Sequence, residues 1–599
     1  MSSASEGRGS RTAHEFNLAA LHEAVERAVP DRDAIVTHRP DGTFDRRSYA
    51  TVGDRSRRLA NALVTRGLGA VVDRTELSNH ESGQDHVALY LHNCPEYLES
   101  MLGAYKARAV AFNVNYRYVA EELEYLLRDA GTRAIVFHSA FAPTLAALRG
   151  RIAGLEVLLQ VPDDSGNGLL DGAEWFDDVL ADSSPDLAPE LVASWSPDDL
   201  YILYTGGTTG MPKGVLWRQG DIFVTAMGGR RHEDQGEWSS YEQIAATAVN
   251  GCVKLLVGPP FMHGAAQWSA FNSFTNGNTV VLPARNRHLD VDQLLRTVEA
   301  ERVDVILIVG DAFGRPLVEG IEAALDRGSP ALSSVLAIAS GGAALSTGVK
   351  ERMLAALPSA IVIDGLGASE TGQQGSQLSA AGQAATTGDF TPGPGMCILS
   401  DDLDRVLSAG HDEPGWLGQS GRVPLGYLDD EAKTADTFPV IDGVRYAVPG
   451  DRARLDAAGR LELLGRDSVT INSGGEKIFA EEVEQALLHH ARVRDCVVAG
   501  RPSTRWGQEV VAVVALADGV EVTDDELTIE AARHIARYKL PKAIVRVAEV
   551  QRSPSGKADY RWARQQASAR PNETARPNET ARPNDTGRPN ETGPPKEPG

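Results

Sequence analysis

The sequence predicts an α/β protein with a large N-terminal domain of layered, helix-covered sheets and a small α+β C-terminal domain. The 599 residues exceed what one hydrophobic core normally supports, so at least two domains are expected. Strand patterns alternate with helical patterns, and several strands are too continuously apolar for a sheet with one wet face. Beyond about Gly465 this alternation restarts as a compact unit.

The first predicted element is an amphipathic helix that begins after Asn17 and ends before Pro30. Its apolar face comprises Leu18, Leu21, Val25 and Val29. Buried strands of the large domain are then predicted at residues 87–91, 134–137, 303–308, 335–339 and 361–363. The segment 70–85 is rich in Asp, Glu, Ser and Asn, which predicts a surface insertion.

The C-terminal unit is predicted as helix 481–488, strand 496–499, strand 510–516, helix 524–538 and a strand near Ile544. From Arg570 the chain repeats Arg-Pro-Asn-Glu-Thr with almost nothing apolar, which is typical of a disordered tail. We therefore expect a disordered N-terminus at 1–14, an N-terminal domain at 15–465, a C-terminal domain at 466–567 and a disordered tail at 568–599.

Composition excludes several classes of function. The net charge of −23 argues against a nucleic-acid binder and against a basic membrane-binding patch. The four cysteines lie far apart with no Cys-x-x-Cys pair, which gives no zinc site and no disulfide framework, at Cys94, Cys252, Cys397 and Cys496. The N-terminus lacks the apolar core of a secretory signal, and no run approaches the length of a membrane span. A cytoplasmic protein without a stable membrane anchor is expected.

One glycine-rich run points to nucleotide chemistry: Tyr204-Thr205-Gly206-Gly207-Thr208-Thr209-Gly210-Met211-Pro212-Lys213-Gly214. Glycines let the backbone approach phosphate oxygens, hydroxyls donate hydrogen bonds, and Lys213 supplies charge. The Walker A loop is a different motif, because there the lysine follows the last glycine and precedes Ser or Thr. Composition alone leaves an ordinary surface loop open.

In its full order this run resembles the signature loop of the adenylate-forming superfamily, which includes acyl-CoA synthetases, luciferases and peptide-synthetase adenylation domains. The chain departs from the usual form at Gly206, where a serine normally stands. The resemblance implies that ATP or AMP is bound by Thr205, Gly206, Gly207, Thr208, Thr209, Gly210 and Lys213. It also places Thr205 among the catalytic residues.

A second segment, Asp364-Gly365-Leu366-Gly367-Ala368-Ser369-Glu370-Thr371-Gly372, follows a predicted strand, where sheets commonly meet ligands. Considered alone, Glu370 is typical of a solvated acid in a loop. A serine-hydrolase nucleophile elbow is disfavoured, because Thr371 stands where that motif requires glycine. The segment resembles the superfamily motif in which a glutamate binds Mg²⁺ and the preceding hydroxyl contacts the α-phosphate. That resemblance assigns the metal to Glu370 and nucleotide contacts to Asp364, Gly365, Leu366 and Ser369, with Leu366 replacing the usual adenine-stacking tyrosine.

Further elements follow in the order expected of the superfamily. Gly341-Gly342-Ala343 resembles the turn whose backbone passes the adenine, although a simple tight turn is the alternative. Asp451 and Arg466 resemble the pair that holds the ribose. Asp467 and Ser468 stand at the interdomain hinge, and Lys557 corresponds to the lysine that a mobile C-terminal domain brings to the α-phosphate. Gly474, Gly475 and Lys477 resemble the loop that lines the pantetheine channel of CoA ligases.

The segment around His263 resembles the element bordering the acyl pocket. With no acid or metal partner evident in sequence, His263 is predicted as a wall or gate rather than a general base. Small residues at Gly264, Ala265 and Gly310 suggest a roomy apolar pocket and hence a bulky, lipid-like acid. Several segments look like the bacterial ligases that activate fatty acids or steroid side-chain carboxylates.

The predicted function is therefore that of an AMP-forming acyl-CoA synthetase using ATP, Mg²⁺ and CoA with a small-molecule carboxylic acid. A homodimer is compatible with this resemblance, and no nucleic-acid partner is expected. Two alternatives stay open: an acyl-adenylating enzyme that serves a carrier protein, and a non-catalytic acyl-adenylate-binding protein. Retention of Glu370, Asp451, Arg466 and Lys557 argues against the non-catalytic alternative.

Overall fold

A computed structural model describes residues 15–205, 211–231, 233–284, 289–328, 331–383, 385–411, 413–473, 476–503, 505–552 and 556–569. The predicted disordered N-terminus and nearly all of the predicted tail lie outside these residues. The last helix, Tyr560–Ala569, extends two residues into the segment predicted as tail.

The described chain combines helices with parallel and antiparallel sheets in a large N-terminal and a small C-terminal domain, which confirms the predicted α/β class. The Asn17 side chain accepts hydrogen bonds from the amides of Ala19 and Ala20 and so caps the first helix as predicted. The α-helices of the N-terminal domain are Leu18–Ala28, Tyr49–Thr65, Pro95–Lys106, Ala120–Asp129, Ala142–Leu148, Phe176–Ala181, Pro189–Ser194, Gln219–Ala226, Tyr241–Ala248, Gly264–Thr275, Val291–Glu301, Gly310–Asp326, Thr347–Ala356 and Glu431–Thr437.

The largest sheet begins with seven strands, of which all but the first run parallel, and continues through antiparallel strands. Its strands in spatial order are Phe44–Ser48, Asp33–His38, Thr279–Leu282, Lys254–Val257, Val305–Ile308, Ala337–Gly341, Ile361–Ala368, Gly372–Ala380, Asp389–Pro392, Leu461–Arg466, Asp451–Leu455, Gly415–Ser420, Val444–Ala447 and Val440–Ile441, with Met396–Leu399 paired to Gly415–Ser420. Most parallel strands are buried on both faces, as their apolar sequences predicted, whereas Ala337–Gly341 and Ile361–Ala368 each have one partly buried face.

Two smaller sheets complete the N-terminal domain. One is parallel, in the order Val110–Asn113, His86–Tyr90, Thr132–His138, Val157–Val161 and Glu174–Trp175. The other is antiparallel, in the order Gly426–Tyr427, Lys213–Arg218 and Leu200–Thr205.

The C-terminal domain has its own five-stranded sheet with two hydrophobic clusters. Its strands in spatial order are Glu476–Ile478, Ile471–Ser473, Gly507–Leu516 and Val493–Ser503, with Ala543–Val547 parallel to Gly507–Leu516. Its α-helices are Ala480–Leu488, Asp524–Ala531 and Tyr560–Ala569.

Some predicted bounds were wrong. The helix predicted at 524–538 ends at Ala531, after which the chain continues in turns: the amides of Arg533 and His534 donate to carbonyls three residues back, at Glu530 and Ala531. Two predicted strands begin later than expected, at Val305 and Ala337. The amide of Val303 instead donates to Val298 at the end of the preceding helix.

The predicted insertion 70–85 is a loop closed by a β-bridge, and it packs against another part of the domain. The Asp429 amide donates a hydrogen bond to the His80 carbonyl at 2.8 Å. A side chain at Gly426 would begin 3.1 Å from the carbonyl oxygen of Asn79. The loop therefore supports the strand Gly426–Tyr427 from behind.

Within the described residues, every helix is too short or too polar to cross a lipid bilayer. The four cysteines are unpaired.

Candidate active site

The predicted phosphate loop connects two antiparallel strands, Leu200–Thr205 and Lys213–Arg218. Thr205 and Lys213 lie opposite each other at the loop end of this hairpin. The Lys213 ammonium forms an ion pair with Asp430, whose side chain also caps the helix Glu431–Thr437. The remaining predicted loop residues lie outside the described residues: Gly206, Gly207, Thr208, Thr209 and Gly210.

Glu370 lies in the tight turn between the strands Ile361–Ala368 and Gly372–Ala380. Hydrogen bonds hold this turn on two sides. Trp217 Nε1 donates to the Ser369 carbonyl at 2.8 Å, and the Tyr427 hydroxyl donates to Glu370 Oε1 at 2.8 Å. Burial and the neighbouring Glu370 charge raise the pKa of Tyr427, so its hydroxyl remains a proton donor at neutral pH.

Asp451 and Arg466, which were predicted to hold the ribose, come from two neighbouring strands. Asp451 and Arg466 lie opposite each other in register, and Arg466 Nε is 3.2 Å from Asp451 Oδ1. The Asp451 carboxylate raises the pKa of the Arg466 guanidinium, with Glu370 adding to the effect. The pair is therefore electrostatically connected to the turn that carries Glu370.

Lys557 brings a cationic group from the C-terminal domain to the same place. Burial and the Arg466 charge lower the pKa of the Lys557 ammonium, while Glu370 and Asp451 oppose that shift. The Lys557 side chain is exposed to solvent, although protein atoms surround it on most sides. Four of the predicted site residues, Lys557, Glu370, Asp451 and Arg466, thus lie within electrostatic range of one another between the two domains.

The predicted adenine turn follows the strand Ala337–Gly341, in which Gly341 is paired with Gly365. Gly342 has φ +86°, a conformation that favours glycine. The Ala343 side chain lies against the start of the helix Gly310–Asp326. Leu366, expected to contact adenine, packs partly against the cluster that contains Phe390.

The Asp364 side chain lies in the core, whereas the sequence predicted it to contact the nucleotide. Its side chain is buried, and Oδ2 lies 2.9 Å from the ammonium of fully buried Lys350. Burial raises the pKa of the Asp364 carboxyl and Lys350 opposes the shift. The carboxylate therefore belongs to the core beneath the turn, because an ion pair there satisfies both buried charges.

His263 lies immediately before the helix Gly264–Thr275, and its Nε2 is buried without a hydrogen-bond partner among the described residues. Burial lowers the pKa of His263 to about 3, with Lys557 and Arg117 adding to the shift. The imidazole is therefore neutral at pH 7. A neutral ring is compatible with the predicted wall or gate, a role that stays a prediction.

The small residues predicted to make the acyl pocket roomy serve close packing instead at two positions. A side chain at Gly264 would begin 2.7 Å from Leu203, and one at Gly310 would begin 2.6 Å from the Ala344 carbonyl. Gly310 also has φ +48°. Ala265 is half-buried in the first turn of its helix. Glycine at positions 264 and 310 is therefore explained by close packing, and at 310 also by its positive φ, rather than by a need for pocket volume.

The hinge residues Asp467 and Ser468 form a short 3₁₀ turn after the last strand of the large sheet. The Asp467 amide donates to the Gly450 carbonyl at 3.0 Å. Of the predicted CoA-binding residues, Gly474 and Gly475 lie outside the described residues. The Lys477 backbone pairs with Asn472, and its side chain is likewise outside the described part.

Glu481 contacts the hinge from the C-terminal domain. Its Oε1 accepts a hydrogen bond from the Arg466 amide at 3.3 Å. Gly465 has φ +126°, and a side chain there would begin 2.3 Å from Glu481 Oε2, so the carboxyl occupies the place of the missing side chain. Burial raises the pKa of Glu481 to about 7.

Sequence reasoning missed several residues that support the site. Tyr427 and Asp430 contact Glu370 and Lys213, yet they lie more than 50 residues away in sequence from those partners. Lys350 sits on a helix, where a lysine reads as solvated. The one signal in the sequence was the pair Gly426-Tyr427 with two aspartates shortly after it. This composition indicates a turn but does not indicate a binding or catalytic role.

Comparison with known proteins bears on the family and the fold of the chain. The family model described as AMP-binding enzyme matches residues 21–423, and the one described as AMP-binding enzyme C-terminal domain matches residues 482–557. The chain has the same fold as the anthranilate CoA ligase AuaEII in complex with anthranoyl-AMP, with a TM-score of 0.74 at 22% identity, covering 93% of this chain and 98% of that one. ATP-bound MatB from Rhodopseudomonas palustris gives 0.71 at 22% identity, covering 92% and 99%.

Two curated relatives align over nearly the whole chain. The chain is 53% identical over 560 residues to a protein of Mycobacterium avium named medium-chain acyl-CoA ligase Mig, covering 93% of this chain and 99% of the relative. It is 38% identical over 568 residues to the 3-oxocholest-4-en-26-oate–CoA ligase of Rhodococcus rhodochrous, covering 93% and 97%. The resemblance predicted from the motifs is thereby confirmed, and this chain belongs to the AMP-binding enzyme family.

Proposed function

We propose that this enzyme is an AMP-forming acyl-CoA ligase that activates a bulky hydrophobic carboxylic acid of the fatty-acid or steroid side-chain type. The observation that carries the proposal is that Lys557 from the C-terminal domain lies within electrostatic range of Glu370, Asp451 and Arg466 from the N-terminal domain. The names of the two curated relatives support the choice of acid and of CoA.

In the first half-reaction a carboxylate oxygen of the acid attacks the α-phosphorus of ATP and pyrophosphate leaves, which gives an acyl-adenylate. Positioning and the neutralisation of developing charge govern such phosphoryl chemistry. The Lys557 ammonium is suited to stabilise charge at the α-phosphate. Asp451, oriented by Arg466, is suited to accept hydrogen bonds from the ribose hydroxyls.

The residues present fit Mg²⁺. This ion takes oxygen ligands, often one or two carboxylates with substrate phosphates. Glu370 lies half-buried at the cleft, and among the described residues the Tyr427 hydroxyl donates to one of its two carboxylate oxygens. Glu370 would hold the ion, whose chemistry is to neutralise phosphate charge. Lys213 and Thr205 flank the loop assigned to the phosphates.

In the second half-reaction the CoA thiol, having lost its proton, attacks the acyl carbonyl and AMP leaves, which forms the thioester. The same site serves both steps if the C-terminal domain rotates about Asp467 and Ser468. That rotation would withdraw Lys557 and present the loop containing Gly474 and Gly475 with Lys477. This proposal places the domain boundary at the hinge after Arg466, one residue beyond the predicted bound at Gly465, because Arg466 ends a strand of the large sheet.

The test is release of pyrophosphate and AMP from purified protein with ATP and Mg²⁺, across fatty, aromatic and steroid acids, with and without CoA. We expect both products with one acid class when CoA is present. Pyrophosphate without CoA-dependent AMP would indicate an enzyme that serves a carrier protein. No product with any acid would contradict the proposal and favour a binding protein.

Lys557→Ala identifies the catalytic lysine. Loss of one preorganised donor should slow acyl-adenylate formation by about 3 kcal/mol, roughly 150-fold. Thioester formation from supplied acyl-adenylate and CoA should be retained. Lys542→Ala removes an exposed lysine of the same domain and should leave both steps unchanged. An unchanged adenylation rate in Lys557→Ala would contradict the assignment.

A further inference from the structure

Tyr427 is a buried residue whose only polar side-chain atom points at the acid of the candidate site. The residue is 5% exposed, and its hydroxyl donates to Glu370 Oε1 at 2.8 Å. The bond joins residues 57 positions apart in sequence. A hydrogen bond to a charged group is stronger than one between neutral groups, so this contact constrains the direction of the carboxylate.

The backbone that carries Tyr427 is fixed on several sides. Tyr427 pairs with Val215 in the strand that leaves the phosphate loop, and the Leu428 amide donates to the Gly214 carbonyl at 2.8 Å. The Tyr427 amide donates to Thr434 Oγ1 at 2.9 Å. The position of the hydroxyl is therefore set by the same hairpin that carries Lys213 and Thr205.

Gly426 shows how closely this strand is packed. A side chain there would begin 2.6 Å from the Thr434 methyl carbon, so no other residue fits without a shift. The Tyr427 ring also packs against Phe438, with ring centroids 5.8 Å apart. A rigid strand with one hydroxyl aimed at a carboxylate is the arrangement by which proteins orient a group that binds a cation.

We propose that Tyr427 is a positioning residue that orients the Glu370 carboxylate toward the cation accompanying ATP and couples it to the phosphate-loop hairpin. The inference rests on the proposed function, because it takes Glu370 as the group that meets the metal. Tyr427 acts through Glu370 and does not contact the reacting atoms. Its loss should weaken cation binding and slow adenylation without affecting the thioester step.

The experiment measures Mn²⁺ binding by electron paramagnetic resonance, in the presence of α,β-methylene-ATP, for wild type, Tyr427→Phe, Glu370→Gln and the double variant. Phenylalanine keeps the ring and removes only the hydroxyl. We expect Tyr427→Phe to weaken Mn²⁺ binding by about tenfold, within the range for a hydrogen-bond partner of a metal ligand. Because Tyr427 acts through Glu370, the double variant should bind Mn²⁺ as weakly as Glu370→Gln alone.

Tyr49→Phe is the matched control. Tyr49 is fully buried, and its hydroxyl donates to the Asn278 carbonyl at 2.7 Å, outside the candidate site. It should bind Mn²⁺ like wild type, and melting temperatures establish that all variants are folded. Unchanged Mn²⁺ binding in Tyr427→Phe, or effects of Tyr427→Phe and Glu370→Gln that simply add, would overturn the proposal.

Kinetics supply a second measurement. Acyl-adenylate formation in Tyr427→Phe should slow by about tenfold, while thioester formation from supplied acyl-adenylate and CoA should match wild type. An equal loss in both steps would show a general structural defect and overturn the positioning role. If wild type activates no acid, the proposed function fails. Mn²⁺ binding by wild type, the two single variants and the double variant still decides whether Tyr427 acts through Glu370.

Discussion

Lys350→Met is expected to destabilise the N-terminal domain strongly, because it breaks a buried ion pair beneath the predicted adenine turn. Lys350 is fully buried, its ammonium lies 2.9 Å from Asp364 Oδ2, and it also donates to the Thr386 carbonyl at 2.9 Å. Removing one partner of such a pair leaves the other charge buried without compensation, at a cost of about 3–5 kcal/mol. Methionine fills a similar volume, so the cost arises from charge rather than from a cavity.

Calorimetry measures the effect as a lower melting temperature. With an unfolding entropy of ~2.1 cal/mol/K per residue, a domain of about 450 residues loses about 1 °C per kcal/mol, which predicts a decrease of about 3–5 °C. Lys433→Met is the matched control. Lys433 pairs with Asp436 at 2.8 Å on the surface, where such a pair contributes about 0–1 kcal/mol.

The double variant Lys350→Met/Asp364→Leu separates lost charge pairing from poor packing. Replacing both members of a buried pair by apolar residues is often close to neutral, so we expect its melting temperature to recover to within about 2 °C of wild type. A Lys350→Met protein that melts within 1 °C of wild type, or a double variant less stable than Lys350→Met, would refute the reasoning.

Three further predictions concern the hinge, the acyl element and the phosphate loop. Burial raises the pKa of Glu481 from 4.5 to about 7, so between these values the folded protein keeps a proton that the unfolded chain releases. Stability therefore falls as pH rises through this window. Glu481→Gln should flatten the decline in melting temperature between pH 5 and 8. Gly264→Ala should cost about 1–3 kcal/mol in thermal unfolding, because its methyl group would meet Leu203; unchanged stability would contradict the close packing. Asp430→Asn keeps the helix cap but removes the charge that pairs with the Lys213 ammonium. Calorimetry should then show ATP binding tighter by no more than about fivefold, which is the limit for a partly exposed ion pair. Weaker ATP binding would refute the idea that Asp430 competes with phosphate for Lys213.

The site residues that sequence predicted share one property: each lies in a short ordered motif whose neighbours identify it. Glu370, Asp451, Arg466 and Lys557 were predicted on that basis, and the structure brings them together. Their roles remain predictions. Asp364 was assigned to the nucleotide because it begins such a motif, but strand alternation turns its side chain into the core.

What sequence could not predict depends on contacts between distant segments. Tyr427 is one of many buried tyrosines until its hydroxyl is seen beside Glu370. Lys350 stands on a helix and finds its acid on a neighbouring strand. The glycines at 264 and 310 were interpreted as open space, whereas close contact explains both. Local composition does not distinguish these two reasons for a glycine.

The loop 70–85 looks dispensable in sequence, since it is polar and bounded by turn residues. Its contacts give it another importance, because His80 and Asn79 lie directly behind the segment that carries Tyr427. Anyone shortening the protein for crystallisation or engineering would choose this loop first, as a surface excursion that tolerates deletion. The deletion would remove contacts behind the strand that carries Tyr427, whose hydroxyl donates to Glu370. Shortening a polar surface loop would therefore disturb the candidate site, although the loop is distant from Glu370 in sequence.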